Sequence, residues 1–307
     1  MYEQHFRLTG RPFRGTLPGQ AAFPVQAQEH ILAQLVETFQ AGEGFAILQG
    51  EAGTGKTFLA RRLADLLAEE FLLAWITAHP GDSRTDLQQA ILYEVGLRHR
   101  SHTAQELRLR LTDLLLENAQ ERRTMLLIVD DAHHLETGPL EELRQWGNLG
   151  APHDRLLQAL LVGQFGLKQM LRQPALASMR QQIAAWFTLE PWDEPTATKY
   201  LKEHVQAVGG TSTLLSSEAL HALVAHAGGI PRLLNQAANR AFWLAALGGA
   251  ETVDLEAVWE AFAELRGDIV AAEDALHLDE DSDADISGPA PPSALTVPHP
   301  LPHKVAG

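Results

Sequence analysis

The residues most capable of chemistry form one short segment, residues 50–57. It matches the phosphate-loop pattern G-x-x-x-x-G-K-[ST] at every fixed position. Gly53 and Gly55 permit a tight turn whose backbone N–H groups converge on phosphate oxygens. Lys56 offers a positive charge to terminal phosphates, and the Thr57 hydroxyl is a ligand for Mg²⁺. We therefore predict a nucleotide-binding site comprising Gly50, Glu51, Ala52, Gly53, Thr54, Gly55, Lys56, Thr57 and Phe58.

The elements on both sides of this segment agree with that prediction. The apolar run 45–48 predicts a buried strand, and apolar residues at helical spacing from Phe58 to Phe71 predict a helix. The positive dipole end of such a helix faces a bound anion. The alternative is a glycine-rich turn that merely caps a helix, and the strand-loop-helix context argues against it.

A second group of candidates follows the apolar run Met125–Val129, which ends in Asp130 and Asp131. This pattern places carboxylates at the carboxyl end of a buried parallel strand, where α/β proteins bind their ligands. We predict that Asp130 holds Mg²⁺, directly or through water, and that Asp131 orients the attacking water. Strands also end in aspartate for reasons of turn geometry alone, which is the alternative.

Two other kinds of site are not predicted. His133 and His134 stand beside the aspartates, but adjacent residues point to different sides of a chain and lack the spacing of zinc ligands. The sequence contains no cysteine, which excludes disulfides, thiolate metal sites and cysteine nucleophiles.

The rest of the chain predicts the scaffold around these residues. Strand patterns at 72–77, 156–162 and 183–189 alternate with helical patterns, which predicts an α/β fold with a mostly parallel five-stranded sheet flanked by helices. Beyond Glu190 the patterns are helical only. We therefore expect an N-terminal arm (1–28), an α/β nucleotide-binding domain (29–190), a helical lid domain (191–267) and a disordered acidic, proline-rich tail (268–307).

Composition limits the compartment and the partners. No apolar run approaches the ~20 residues that span a bilayer, and the N-terminus lacks the basic start of a signal peptide, so we expect a cytoplasmic protein. The net charge is −15; residues 1–267 contribute −8, from 23 basic and 31 acidic residues. This mild negative balance disfavours nonspecific DNA binding, although it allows a local basic patch.

The chain resembles AAA+ ATPases, and more narrowly the ExeA and MshM-like group linked to bacterial general secretion and pilus biogenesis. That group is related to the MuB, TniB and TnsC transposition ATPases. The matching residues are Met1-Tyr2, His5-Phe6, Leu8, Pro12-Phe13, Gly42 to Phe45, Leu143-Arg144, Asn148-Leu149, Leu161 to Gln164, and Gly228 to Arg232 with Asn235.

The resemblance implies a protein that binds ATP with Mg²⁺, hydrolyses it, self-associates into a ring or filament, and drives or switches a secretion or pilus machine. Carried over by position, it makes Gln164 a sensor of the terminal phosphate and Arg232 a second sensor that reaches from the lid. Gln164 can instead be a cap or turn residue. Arg232 can instead be a solvated first-turn arginine, but a cation there opposes the helix dipole, which favours the nucleotide role.

The chain departs from the group at two positions. Asp131 stands where the group usually has glutamate, which is longer by one methylene, so we expect slower hydrolysis. Gln182 stands where an arginine is expected. Arg180 is the nearest substitute for a catalytic finger that reaches a neighbouring subunit's phosphate, and Arg172 is another; either can be a solvated helix arginine.

Two further functions stay open at this point. One is an ATP-dependent DNA-binding regulator of the transposition type. The other is a nucleotide switch with very slow turnover, which the departures at Asp131 and Gln182 suggest.

Overall fold

The computed structural model describes residues 2–13, 23, 25–151 and 154–267 of the chain. The predicted disordered tail, 268–307, lies outside the described residues, as does part of the predicted arm. Residues 1–262 form one compact unit. Residues 263–307 form a second unit, of which 263–267 are described and helical.

The strands are β1 (Phe45–Gly50), β2 (Leu72–Thr77), β3 (Met125–Asp130), β4 (Gly150–Ala151), β5 (Asp154–Arg155), β6 (Leu157–Gly163) and β7 (Ile183–Leu189). Five of them form a parallel sheet in the order β2-β3-β6-β1-β7, which confirms the predicted fold class. The short strands β4 and β5 pair with each other in an antiparallel hairpin that the sequence analysis does not predict.

The helices are α1 (Tyr2–His5), α2 (Gln26–Gln40), α3 (Lys56–Leu67), α4 (Arg84–Glu94), α5 (Ala104–Gln120), α6 (Thr137–Gly147), α7 (Gly166–Leu171), α8 (Ala177–Gln181), α9 (Glu194–Ala207), α10 (Ser217–Ala227), α11 (Pro231–Leu247) and a last helix at 255–267. Capping side chains fix several starts: the Ser83 hydroxyl accepts from the Asp86 N–H, and the Asp86 carboxylate accepts from the Ser83 N–H. None of the described helices is long and apolar enough to cross a membrane.

Helices cover both faces of the sheet, and successive strand residues point to opposite faces. Ile47 and Leu127 pack into one apolar cluster, while the next residues, Leu48 and Ile128, pack into another on the opposite face. Helices α4, α5 and α6 contribute to the first cluster, and α2 and α3 contribute to the second. Burial on both faces explains why these strands read as continuous apolar runs.

The register of the sheet brings three strand ends to one edge. Gln49 of β1 lies beside Gly163 of β6, and Val129 of β3 lies beside Leu161 of β6. Because parallel strands share their direction, the residues that follow β1, β3 and β6 leave the sheet at the same edge. The phosphate-loop segment, Asp131 and the residue after Gly163 therefore start from neighbouring positions.

The described part of the predicted N-terminal arm begins with the helical turn α1. Tyr2 and Phe6 are four residues apart and so face the same side of this turn. The Tyr2 hydroxyl donates to Asn239 Oδ1 at 2.6 Å, and the rings of Phe6 and Phe242 are 5.3 Å apart. These contacts with α11 order the segment locally.

Candidate functional site

The phosphate-loop segment forms a tight turn between β1 and α3. Gly53 and Gly55 have φ angles of 85° and 100°, in the left-handed region that glycine adopts without steric cost. Helix α3 begins at Lys56, so the unpaired N–H groups of its first turn lie next to the loop. Loop and helix start together form the kind of positive backbone cradle that binds phosphate.

A cavity of about 440 Å³ lies against this loop. Four parts of the chain line it: the loop with the first turn of α3, the segment after β3, the residue after β6, and the start of α11. The lining residues are Ala52, Gly53, Gly55, Lys56, Thr57, Phe58, Asp131, His134, Gln164 and Arg232. All of them except His134 are predicted from the sequence as site residues.

Three other predicted residues shape the loop and do not line the cavity. The Thr54 hydroxyl donates to the Glu51 carbonyl at 2.9 Å, which closes the turn on itself. A Cβ at Gly50 would lie 2.4 Å from the Leu189 carbonyl oxygen, so only glycine fits between the loop and β7. Their contribution is therefore to hold the loop's conformation.

Lys56 is a buried cation beside the cavity. Its side-chain amino group donates to the Glu51 carbonyl at 2.7 Å. Burial lowers the pKa of Lys56, the carboxylates of Asp131 and Asp130 raise it, and Arg232 lowers it. The charges of both carboxylates and of Arg232 thus change the pKa of the ammonium group.

The two aspartates after β3 differ in environment. Asp130 is buried, and its Oδ1 accepts a hydrogen bond from the Asp131 N–H at 3.0 Å. Asp131 lines the cavity with a half-exposed side chain and has a φ of 51°. This left-handed conformation is uncommon for residues other than glycine, and it turns the chain sharply out of the strand.

Gln164 follows β6 and reaches toward the same cavity. Its Nε2 lies 3.3 Å from Nε2 of His133, and Nδ1 of His133 lies 4.0 Å from Oδ1 of Asp131. Burial, and next the nearby His134, lower the pKa of His133. His133 therefore stands between two predicted site residues as a neutral imidazole.

Arg232 approaches the loop from α11. The turn before this helix is fixed by Gly229, where a Cβ would lie 2.0 Å from the Trp192 carbonyl oxygen. The Arg232 N–H donates to the Gly53 carbonyl at 3.2 Å. Within the described part of the chain, the exposed Arg232 side chain has no ion pair or hydrogen bond.

The candidates for an arginine finger lie away from this cavity. Arg180 is exposed on α8, and its guanidinium donates to the Leu171 carbonyl at 3.3 Å. Arg172 is also exposed. Gln182, which replaces the expected arginine, donates to Asn148 within the same chain. Neither Arg180 nor Arg172 is among the lining residues of the cavity.

His134 lines the cavity although the sequence does not predict it as a site residue. The turn at Ala132–His134, which follows the left-handed Asp131, carries it to the cavity wall. Its position directly after an acid-ended strand is the one sequence signal that points to it.

The residues present fit a nucleotide with Mg²⁺. Lys56 and the unpaired Arg232 provide positive charge for phosphates, and the glycine turn provides N–H groups. The described residues contain no group of three or more His, Cys, Asp or Glu that can hold a metal ion. Mg²⁺ in nucleotide sites is held by one or two protein oxygens and by phosphate oxygens. Here the oxygens would come from Thr57, which lines the cavity, and from the buried Asp130, which precedes the lining residue Asp131 and does not itself line the cavity.

Sequence comparisons find a matching domain family and a relative. A family model described as an AAA domain matches residues 40–171. General secretion pathway protein A of Aeromonas hydrophila is 35% identical over 254 residues, which are 82% of this chain. The aligned part is 46% of that relative, so the chain spans about half of its length.

Solved structures share the fold at low sequence identity. Cdc6p of Pyrobaculum aerophilum has a TM-score of 0.66 at 18% identity, over 82% of this chain and 70% of that one. The ADP form of the Aeropyrum pernix ORC2 protein has a TM-score of 0.60 at 18% identity, over 83% and 72%. The RuvB Holliday junction branch migration motor of Thermotoga maritima has a TM-score of 0.54 at 14% identity, over 79% and 70%. Through its AAA domain and its 35% identity, the chain is identified as an AAA-type protein related to general secretion pathway protein A.

Proposed function

We propose that this protein binds ATP with Mg²⁺ and hydrolyses it. The observation that carries the proposal is the single cavity shared by Lys56, Thr57, Asp131, Gln164 and Arg232, which come from four separate parts of the chain. Positive groups, a hydroxyl and a carboxylate around one space are what phosphoryl transfer to water requires.

Each residue has a distinct part in this proposal. Lys56 and Arg232 neutralise the phosphates. A phosphate oxygen of the nucleotide replaces the Glu51 carbonyl as the acceptor for the Lys56 ammonium. Thr57 and Asp130 would hold Mg²⁺, which would supply further positive charge for the phosphates. Asp131 orients the attacking water and accepts its proton, while Gln164 donates to the terminal phosphate or to that water.

Self-association completes the proposal. Arg180 is exposed and does not line its own chain's cavity, so as a finger it acts at the cavity of a neighbouring copy. Charge on the transferring phosphoryl group is then stabilised across an interface. A ring or filament of identical subunits supplies such an interface at every site.

The test is nucleotide binding and phosphate release measured on the same protein. Isothermal titration with Mg–ATP should give binding for the wild type and none for Lys56→Ala. Phosphate release should be measurable, and its specific rate should rise with protein concentration because Arg180 acts in trans. Unchanged affinity in Lys56→Ala would refute the site; binding without any phosphate release would favour the nucleotide switch.

The biological process is also a proposal. We infer a role in a secretion or pilus assembly from the 35% identity to general secretion pathway protein A. The cytoplasmic location expected from the sequence stays a separate prediction. The division into a nucleotide-binding domain (29–190) and a lid domain (191–267) belongs to the same inference. ATP-dependent co-purification with components of such an assembly would support this role. Recovery of none of these components, with or without ATP, would oppose it.

One observation favours DNA binding as a second candidate function. Residues 95–112 carry four arginines against the single acid Glu106, in a chain whose net charge is −15. Arg98 and Arg100 line a second cavity of about 440 Å³, next to Tyr93, whose side chain is 66% exposed. Arginines beside an exposed aromatic ring suit a phosphate backbone with a stacked base.

The second candidate has its own test. Fluorescence anisotropy with single-stranded and duplex DNA, with and without ATP, should show binding that weakens steeply as salt rises. The double variant Arg98→Ala/Arg100→Ala should weaken it, whereas Lys202→Ala, which removes an exposed cation elsewhere, should not. No binding at low salt would eliminate this function and leave the ATPase proposal intact.

A further inference from the structure

His133 joins two residues of the proposed catalytic site that the chain places on different strands. Its Nε2 lies 3.3 Å from the Gln164 amide nitrogen, after β6. Its Nδ1 lies 4.0 Å from Oδ1 of Asp131, after β3. The imidazole therefore touches the residue assigned to the phosphate on one side and faces the residue assigned to the water on the other.

The protonation state of this imidazole follows from its contacts. Burial lowers the pKa of His133, which favours the neutral ring with one N–H and one acceptor nitrogen. The amide nitrogen of Gln164 is a donor, so Nε2 of His133 accepts and the ring proton sits on Nδ1. The proton is thus on the ring nitrogen that lies 4.0 Å from Oδ1 of Asp131.

The Nδ1–H of His133 has no hydrogen-bond partner among the described residues. Nδ1 is buried without a hydrogen bond among the described residues, and the His133 side chain is only 14% exposed. A buried donor without a partner is unfavourable, so a movement that satisfies it is favoured. The Asp131 carboxylate, which is 50% exposed, has an oxygen 4.0 Å from this nitrogen.

We propose that His133 is a positioning residue that holds the Asp131 carboxylate through Nδ1–H while its Nε2 is fixed by Gln164. A shift of the Asp131 side chain by about 1 Å turns the present 4.0 Å approach into a hydrogen bond. This inference rests on the proposed ATPase function and deepens it. It explains how an aspartate, shorter than the glutamate of related proteins, is oriented toward the water.

A purely structural role is the alternative. The ring of His133 packs on the ring of His134, with centroids 4.1 Å apart, and a Cβ at Gly163 would lie 3.4 Å from its Nδ1. If His133 only fills this space, any substitution should act through folding, and side chains with the same volume should behave alike. The experiment separates these roles by placing a donor at one ring position or at the other.

The test compares His133→Asn, His133→Gln and His133→Ala. An asparagine amide nitrogen takes the place of Nδ1, whereas a glutamine amide reaches the place of Nε2. We expect His133→Ala to lower kcat about tenfold or more with little change in nucleotide Kd. His133→Asn should recover most of kcat, and His133→Gln should not. Equal kcat in His133→Asn and His133→Gln would overturn the proposal, and this pair remains informative if His133→Ala does not fold.

A double-mutant cycle with Asp131→Asn is the second measurement. Because His133 acts through Asp131, the double variant His133→Ala/Asp131→Asn should hydrolyse ATP no more slowly than Asp131→Asn alone. Losses that multiply would overturn the proposal. Absence of phosphate release by the wild type would instead refute the proposed function and the inference together, whereas wild-type kcat in His133→Ala refutes the inference alone.

Discussion

The backbone N–H of Arg232 donates a hydrogen bond to the carbonyl oxygen of Gly53, across 3.2 Å. This bond joins the first turn of α11 to the phosphate loop. It depends on the missing side chain at Gly53, because a Cβ there would lie 2.8 Å from Cβ of Arg232 and 3.0 Å from Cγ2 of Ile230. The glycine thus serves both the loop's conformation and the approach of the arginine to the cavity.

Gly53→Ala should therefore weaken nucleotide binding and stability together. The new methyl group displaces Arg232, and alanine at a φ of 85° is strained. We expect ATP affinity to fall about tenfold or more and the free energy of unfolding to fall by about 1–3 kcal/mol. Isothermal titration and urea denaturation measure the two quantities.

Gly81→Ala is the matched control for this change. Gly81 has a φ of 84°, but a Cβ there meets no atom within 4 Å. It should cost about 1 kcal/mol through backbone strain alone and leave ATP affinity unchanged. Equal ATP affinities for Gly53→Ala and Gly81→Ala would contradict a role for the contact between Gly53 and Arg232.

Asp131→Glu should raise the rate of ATP hydrolysis. The longer side chain carries its carboxylate one methylene further into the cavity that Asp131 lines, nearer to a water in line with the terminal phosphate. We expect kcat to increase several-fold, on the order of 1 kcal/mol in the barrier, with Kd unchanged. Glutamate tolerates the φ of 51° less well than aspartate, so stability should fall by about 1 kcal/mol or less. A kcat below that of the wild type would show that the cavity is fitted to aspartate.

The stability of the protein should fall as the pH drops below about 7, because His204 is held neutral. Burial lowers the pKa of His204 below its usual 6.5, while its contact with the Tyr200 carbonyl and the nearby Glu203 oppose the change. The unfolded chain therefore binds the proton more readily than the folded chain. The stabilising contribution is complete above the unfolded pKa and is lost as the pH falls through 6.5 toward the folded pKa.

His204→Phe tests the source of this pH dependence. The ring of His204 lies 3.9 Å from that of Tyr200, and phenylalanine keeps this packing without a titrating group. The change in Tm between about pH 8 and pH 5.5 should be smaller in His204→Phe than in the wild type. His133, whose pKa is lowered as well, accounts for a residual slope. The same pH dependence of Tm in both proteins would show that a group other than His204 causes it. His79→Phe is the control: its side chain is 72% exposed, so this change should leave the pH dependence of Tm unaltered.

The parts of the site that depend on local sequence are the ones that could be predicted. The loop before Lys56 and the acid after β3 follow from residue types within one strand and one turn. The positions of His133 and His134 do not, because they depend on the left-handed Asp131 and on how β3 and β6 align. Contacts between distant strands are set by tertiary packing, which a single sequence does not display.

The helical region shows the same limit. Resemblance to a family identifies Arg232, but its hydrogen bond with Gly53 joins residues 179 positions apart and depends on the turn at Gly229. The hairpin of β4 and β5 also escapes prediction, since each strand has only two residues and no alternating pattern. Short pairs of this kind are set by the chain on either side.

Gln158→Leu should strongly destabilise the sheet without touching the cavity. Gln158 is 2% exposed on β6; its Nε2 donates to the Phe39 carbonyl at 2.9 Å, and its Oε1 accepts from the Gly44 N–H at 3.2 Å. Leucine has a similar volume but leaves the Gly44 N–H buried without a partner, at about 1–3 kcal/mol. The Phe39 carbonyl loses one donor and keeps the Gly42 N–H at 3.1 Å. We expect the free energy of unfolding to fall by about 1–3 kcal/mol in urea denaturation, against less than about 0.5 kcal/mol for Gln206→Leu at an exposed helix position. A loss as small as that of Gln206→Leu would mean that water reaches the Gly44 N–H, because only a substitute partner can remove the cost of burying it.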